Sequence, residues 1–345
     1  MSGDATPPDS GPHVPVTAPT VVVTANLPHP GTAPLESAGM VVDQCTGPGA
    51  PDRDELTERF AAASGAITTL ADQIDADLLA SSPNLRVLAN IAVGYDNIDL
   101  QAASDLGIVV TNTPDVLTEA VGDLAWALVL AAARRVVEGD AWVRNGTWPG
   151  WAPDQMLGRS VFGQVIAIVG MGRIGAAVGR RARGFDMEIL SCSRTPHPEL
   201  EGSLGATRVP LGEALTRADV VMITAPLNAE SHHLIDAAAL DLMKPSAVLV
   251  NVGRGPVVDE RALIDALGSG RLAAAALDVY EFEPSISDEL RALANVVLTP
   301  HIGSATHETR AAMVSLCCEN VIRVLRGEPA VTPVGLPAAS TTLGR

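Results

Sequence analysis

The stretch over residues 165–194 constrains this chain more than any other. It reads V-I-A-I-V-G-M-G-R-I-G-A-A-V-G-R-R-A-R-G-F-D-M-E-I-L-S-C-S-R. A short apolar run rich in β-branched residues passes directly into Gly170, Gly172 and Gly175, and an alanine-rich helical pattern follows. Glycines at this spacing have separate tasks: a tight turn, close approach of the backbone to a pyrophosphate, and close packing of helix on strand, with the helix N-terminus facing the anion. A second strand over residues 188–193 completes a βαβ unit, so the sequence predicts a bound dinucleotide.

That second strand ends in Ser191, Cys192, Ser193, Arg194 and Thr195. An Asp or Glu at its tip would accept hydrogen bonds from the ribose hydroxyls of NAD. This run has none. Arg194 instead offers a planar fork of donors to a 2′-phosphate, and Ser193 and Thr195 add hydroxyls. NADP(H) is therefore the expected cofactor and NAD(H) the alternative, in which Arg194 is a solvated loop arginine and backbone groups hold the ribose.

At 345 residues the chain is long enough for two domains of ordinary size, each with its own core. Its formal net charge is −17, and Lys244 is its only lysine. An acidic surface without a basic run argues against non-specific nucleic-acid binding and against docking on an anionic membrane, so any anionic ligand has to be held by local arginines. Cys45, Cys192, Cys317 and Cys318 follow no metal-ligand spacing, and adjacent cysteines seldom bridge each other. That usage points to the reducing cytoplasm and to no metal site. No apolar run approaches the length of a membrane span. Residues 1–19 are polar and proline-rich, lack the charged and apolar regions of a targeting signal, and read as a disordered tail.

Ahead of the glycine-rich unit, residues 20–25, 40–42, 65–70, 85–92 and 107–112 read as strands and 53–64 as a helix. Such alternation means a parallel sheet with helices on its faces, here a small α/β domain without a phosphate loop. The sequence A-V-G-Y-D-N-I-D closes the fourth strand at Val93 and Gly94, where exposed N–H groups can hold a carboxylate; a plain turn glycine is the alternative. Thr113-Pro114 opens a long helix to about Arg135, with Val121, Leu124, Ala125, Leu128 and Val129 on its apolar face, and the chain crosses there into the second domain. Residues 142–157 form an irregular stretch that holds Trp142, Trp148 and Trp151 among Gly and Pro, a composition more typical of an interface than of a core. Beyond the glycine-rich unit, strands over 220–224, 247–252, 274–279 and 296–299 alternate with helices over 211–217, 237–243 and 259–269, giving a doubly wound sheet with ligands beyond the C-terminal strand ends. A helix over 309–326 returns toward the first domain, and the residues after Glu328 read as a loose tail.

Three ionisable residues each follow one of those late strands: Arg254 in N-V-G-R-G, Glu283 in D-V-Y-E-F-E-P and His301 in P-H-I-G-S-A-T. Strand ends on one edge of a parallel sheet converge, so the three can meet in one crevice. Arginine can grip a carboxylate or polarise a ketone, histidine can give or take a hydroxyl proton, and a glutamate beside the histidine favours the imidazolium form.

With those motifs in view, the chain resembles the D-isomer-specific 2-hydroxyacid dehydrogenase family. The motifs V-G-Y-D-N-I-D, G-M-G-R-I-G, N-V-G-R-G, D-V-Y-E-F-E-P and P-H-I-G-S-A-T all stand intact between about Ala66 and Glu328. The resemblance implies two Rossmann-like or flavodoxin-like α/β domains with doubly wound parallel sheets, the cofactor domain (113–305) inserted into the substrate domain (20–112 and 306–335). By it, Arg254 binds substrate, Glu283 partners the histidine and His301 is the acid/base, while Val93 and Gly94 offer backbone donors to the substrate carboxylate. The cofactor is then lined by Gly170, Met171, Gly172, Arg173, Ile174, Gly175, Ser193, Arg194, Thr195, Pro226, Val252, Gly253, Arg254, Asp278, His301 and Gly303, with Asp278 at the nicotinamide carboxamide.

Within the family, S-R-T after the second strand, W-P-G-W-A-P and H-I-G-S-A-T-H-E-T-R are similar to glyoxylate/hydroxypyruvate reductases, which implies reduction of a small 2-oxoacid. Closely similar motifs occur in 2-ketogluconate reductases. A corepressor-like, NAD(H)-sensing scaffold shares the fold and the three residues and is the alternative of another class. Members of the family typically dimerise through the cofactor domain, so a homodimer built on residues 142–157 is expected.

Overall fold

The structure is a computed structural model that describes residues 18–47 and 49–335. The expected tail over residues 1–19 lies almost wholly outside the described residues, as do residues 336–345. The chain divides into two units, one running to Asn112 and resuming at Val314, the other spanning residues 113–313. The second unit is thus inserted into the first. Its far boundary falls inside the helix His307–Leu325, later than the break expected at residue 305.

The first unit is built on a five-stranded sheet of β1 (Thr20–Val23), β2 (Val41–Gln44), β3 (Gly65–Thr68), β4 (Val87–Asn90) and β5 (Val109–Thr111). All pairs are parallel and the order is β2-β1-β3-β4-β5. Strands β3 and β4 are buried along their whole length, which is why they read as unbroken apolar runs rather than as alternation. On one face Leu56, Phe60, Leu78, Leu79 and Leu88 form the core. The carboxylates of Asp52 and Asp75 accept from the N–H groups of Glu55 and Leu78 and so start the helices that supply those leucines.

One expectation fails here. The residues after Glu328 are not loose as far as Val334. Val331 and Thr332 donate their N–H groups to Asn320 Oδ1 (2.8 and 3.1 Å), the Thr332 hydroxyl donates to Asn112 O (2.7 Å), and Val334 N donates to Val110 O (2.8 Å). The exposed edge of β5 has free backbone groups, and this short antiparallel segment satisfies them.

The second unit carries β6 (Val165–Val169), β7 (Glu188–Cys192), β8 (Thr207–Arg208), β9 (Val220–Ile223), β10 (Val248–Asn251), β11 (Ala274–Leu277) and β12 (Val296–Leu298) in one parallel sheet of order β12-β11-β10-β9-β6-β7-β8. The strand order reverses between β6 and β9, and in doubly wound sheets ligands sit beyond the strand ends at such a point. The long helix expected from Thr113 is Thr118–Ala133. It packs closely on the helix Arg173–Ala182: Trp126 Nε1 donates to Val178 O (3.0 Å), and its ring stacks on Phe185 with centroids 4.5 Å apart.

A second correction concerns residues 142–157. The chain does not become irregular at Trp142, because a further helix, Val136–Arg144, takes in Trp142, Val143 and Arg144. Arg135 breaks the two helices apart in a left-handed conformation (φ 55°), held there as its Nε donates to Glu138 Oε2 at 2.9 Å. The first helix thus ends near Arg135 as expected, but no glycine or proline there sets off the second helix that follows.

Candidate active site

The glycine-rich loop follows from what a side chain would strike. Gly170 has φ +103°, and a Cβ on it would lie 2.6 Å from Ala225 N; a Cβ on Gly175 would lie 2.4 Å from Gly170 O. At Gly172 a Cβ would meet nothing within 4 Å, so the backbone there faces open space. Thr224 Oγ1 pins the loop by donating to Gly170 O at 2.7 Å. The helix Arg173–Ala182 begins at this opening with no side-chain cap and no acidic residue in its first turn. Its first N–H groups and its dipole are thereby offered to an anion, and a pyrophosphate fits that cradle. Met171 is buried, Ile174 half-buried, and Arg173 at the rim pairs with Asp115 (Nε to Oδ1, 2.8 Å).

At the end of β7, Ser193 donates its hydroxyl to Thr195 O (2.8 Å), a local turn that aims Arg194 outward. The strand tip lacks a carboxylate in sequence, but the fold delivers one: Glu230, from the turn after β9, pairs with Arg194. Both side chains are well exposed, at 73% and 64%. Arg208 on β8 underpins the same turn, its Nη2 donating to Ser193 O (3.0 Å) and Arg194 O (3.2 Å). Neither Glu230 nor Arg208 was foreseen. Their contribution depends on strands far apart in sequence, and only the exposed Asn228–Ser231 turn, capped by Asn228 Oδ1, left any local signal.

Arg254, Glu283 and His301 follow the adjacent strands β10, β11 and β12, as expected. The Arg254 loop is locked by buried Asn251, which accepts from Gly253 N and donates to Arg254 O, each at 3.0 Å. Val252 is buried beside it, and Gly253 is obligatory because a Cβ would lie 2.8 Å from Ala225 O. His301 Nδ1 lies 2.9 Å from Glu283 Oε2. A carboxylate only accepts, so Nδ1 carries the proton of this bond and Nε2 is the ring atom left for other chemistry. Burial pushes the Glu283 carboxyl up, yet the bond and charge of His301, the Tyr280 N–H and the Arg254 charge outweigh it and hold the group below the usual carboxylate range.

His301 adopts a left-handed backbone (φ 53°), uncommon for a residue with a side chain, so its surroundings have to enforce it. Asp278 does much of this. Its Oδ1 accepts from Ile302 N (2.8 Å) and Thr299 Oγ1 (2.6 Å), and its Oδ2 accepts from Gly303 N (2.8 Å). The phenol of Tyr280 donates to Thr299 O at 2.8 Å; burial, with the charges of Asp278 and Glu283, pushes it up to about 12. Asp278 is thus first an anchor for the histidine loop, a task its motif alone did not show. Pro226, the remaining expected cofactor residue, is exposed directly after β9.

In the first unit, two asparagine amides hold the Val93–Gly94 turn by its carbonyls, and a third braces one of them. Asn112 Nδ2 donates to Val93 O (2.8 Å), and Asn90 Nδ2 donates to Gly94 O (3.0 Å) and to Asn97 Oδ1 (3.2 Å). Asn97 in turn donates to Thr69 O and Asp72 O. Among the described residues, the N–H groups of Val93 and Gly94 donate to nothing, leaving two adjacent donors for an anion. The three asparagines were missed, although an Asn inside a strand as apolar as β4 was a readable signal.

Comparison with known proteins agrees with this geometry. Residues 126–303 match the family model "D-isomer specific 2-hydroxyacid dehydrogenase, NAD binding domain". A glyoxylate reductase of Thermococcus onnurineus is 46% identical over 314 residues, 90% of this chain and 94% of that protein. Among solved structures, a Thermus thermophilus protein superposes with a TM-score of 0.87 at 44% identity, over 92% of this chain and 100% of the other. An NADPH-dependent glyoxylate/hydroxypyruvate reductase from Sinorhizobium meliloti, solved with NADP and malonate, gives 0.82 at 35% identity, over 92% and 97%. The fold, the nicotinamide-cofactor domain and the relatives agree: the chain belongs to the D-isomer specific 2-hydroxyacid dehydrogenase family of oxidoreductases.

Proposed function

We propose that this protein reduces glyoxylate or hydroxypyruvate to the D-2-hydroxyacid, with His301 as proton donor. The observation that carries the reading is the His301–Glu283 pair at 2.9 Å, held on strand ends next to that of Arg254. The nicotinamide cofactor supplies hydride when bound. Arg254 polarises the 2-oxo group, and the N–H groups of Val93 and Gly94 receive the substrate carboxylate. His301 Nε2 delivers the proton to the oxygen that becomes the hydroxyl, and Glu283 stabilises the imidazolium from the Nδ1 side. Gly170, Gly172 and Gly175 with Arg173 and Ile174 hold the pyrophosphate. Met171, Pro226, Val252, Gly253, Asp278 and Gly303 complete the cofactor cradle. The curated relative named a glyoxylate reductase, matched over 90% of this chain, supports the choice of substrate.

NADPH is the proposed cofactor. Arg194 with Ser193 and Thr195 takes the 2′-phosphate, which displaces the exposed Glu230 carboxylate. A charge-assisted hydrogen bond to phosphate is worth about 1.5–3 kcal/mol, roughly tenfold to a hundredfold in affinity. The test is a panel of 2-oxoacids with NADH and NADPH, compared by kcat/KM, in the wild type and in Arg194→Ala. Preference for NADPH with glyoxylate or hydroxypyruvate, lost in the variant through a raised KM for NADPH alone, is expected. Equal kinetics with both cofactors would sink the cofactor reading, and no turnover with either acid would sink the substrate reading.

The protein acts as a homodimer in this proposal, in the cytoplasm, where its four free cysteines stay reduced. Val136, Val137, Val143, Trp148, Trp151 and Leu157 are each at least 50% exposed, an apolar surface that a two-fold contact would cover. Light scattering at micromolar concentration checks it: a mass near 35.6 kDa would contradict the dimer.

A further inference from the structure

A cluster outside the proposed site has the chemistry of a metal centre. His232, His233 and Glu281 each offer a ligand atom, and these atoms all lie within 4.8 Å of one another. The two histidines are adjacent in sequence, yet their rings are brought together with centroids 4.1 Å apart. His233 reaches this position in a left-handed backbone (φ 51°), its N–H donating to Pro256 O at 2.8 Å. Its Nε2 lies 2.7 Å from Glu281 Oε1, and the Glu281 side chain is only 11% exposed.

The outer partners are also in place. Glu281 Oε2 accepts from Glu260 N at 3.0 Å, which fixes the carboxylate plane, and Glu281 N donates back to Glu260 Oε2 at 3.3 Å. Metal-bound carboxylates are oriented by outer hydrogen bonds of this kind. Two imidazoles and one carboxylate suit a borderline transition cation and not calcium or magnesium, which take oxygen ligands.

We propose that His232, His233 and Glu281 form a site for a Zn²⁺-class divalent cation, its remaining positions filled by water. The cation replaces the proton shared by His233 Nε2 and Glu281 Oε1. With metal–ligand bonds of about 2.1 Å, tetrahedral ligand atoms stand about 3.4 Å apart, so His233 Nε2 and Glu281 Oε1 draw apart from 2.7 Å to admit the cation and the exposed His232 ring adjusts to close the site. The cysteines of the chain show no metal-ligand spacing; this set is assembled by the turn after β9 meeting the segment after β11.

The experiment is calorimetric titration of the purified, metal-stripped full chain with ZnCl₂, paired with the absorption spectrum of the Co²⁺ form. About one equivalent should bind in the wild type. His232→Ala lies on the surface and leaves the fold intact, and His233→Asn keeps a residue that tolerates the left-handed backbone. Each should weaken binding by more than the roughly 10-fold to 100-fold cost of losing an outer partner alone. The Co²⁺ spectrum should lack a thiolate charge-transfer band. Undiminished binding in either variant would overturn the proposal, as would a thiolate band or no binding to the wild type. The site does not depend on the substrate or cofactor proposed above.

Discussion

Two strand-end turns in this molecule offer backbone N–H groups, and they are built in opposite ways. The loop after β6 is shaped by missing side chains, since a Cβ on Gly170 or Gly175 would collide with backbone at 2.6 or 2.4 Å. By contrast, the turn at Val93 and Gly94 after β4 is shaped by added side chains: the amides of Asn90 and Asn112 hold its carbonyls, and Asn97 braces Asn90. Glycine lets a large, extended anion approach along a helix N-terminus. Amides fix two donors for a small one. A doubly wound sheet thus supports either kind of anion site, and the residues at the strand end decide which.

The largest break in that comparison comes from Gly175→Ala. The new methyl meets a backbone oxygen that cannot yield, so helix and strand have to separate. NADPH binding, followed by cofactor fluorescence, should be lost, with the melting temperature lowered. Retention of near-normal affinity would show that the loop is not set by exclusion.

Asn97→Ala attacks the other turn. It orphans Thr69 O and Asp72 O and frees Asn90, and each unpaired buried group costs about 1–3 kcal/mol. The expected kinetic signature is a KM for the 2-oxoacid raised about tenfold with the KM for NADPH unchanged. A change in the NADPH constant alone would place the turn's role elsewhere.

Much of this was readable in the chain. The strands of the second unit are legible because buried parallel strands are continuous apolar runs closed by glycine or polar residues, as at Val165–Val169. Arg254, Glu283 and His301 are legible because the parallel order puts their strand ends side by side. The asparagine frame, Glu230, Arg208 and the Asp278 anchor were not, since each acts through partners up to 36 residues away whose approach depends on packing. The helix Val136–Arg144, which follows the expected break at Arg135 with no glycine or proline to set it off, is hidden for the same reason.

Tyr280→Phe gives a smaller effect and sharpens the comparison with a third device, a buried phenol bracing the His301 loop. Its folded value, up at about 12, lies above the ordinary tyrosine value of about 10, so its stability contribution is complete below about pH 10 and is lost as pH rises through 12. Thermal melts across that window should fall steeply in the wild type and less so in the variant. Parallel curves would remove the phenol from the account.

The central claim is that His301 delivers the proton while glycine-lined and amide-framed turns only bind. Steady-state NADPH oxidation with glyoxylate, measured beside NADPH affinity in His301→Ala, tests it most directly. Loss of an acid/base costs about 10²-fold to 10⁴-fold in rate, so kcat should fall by that factor while NADPH affinity stays within about twofold. A variant that keeps near-full kcat with every 2-oxoacid offered would contradict the account.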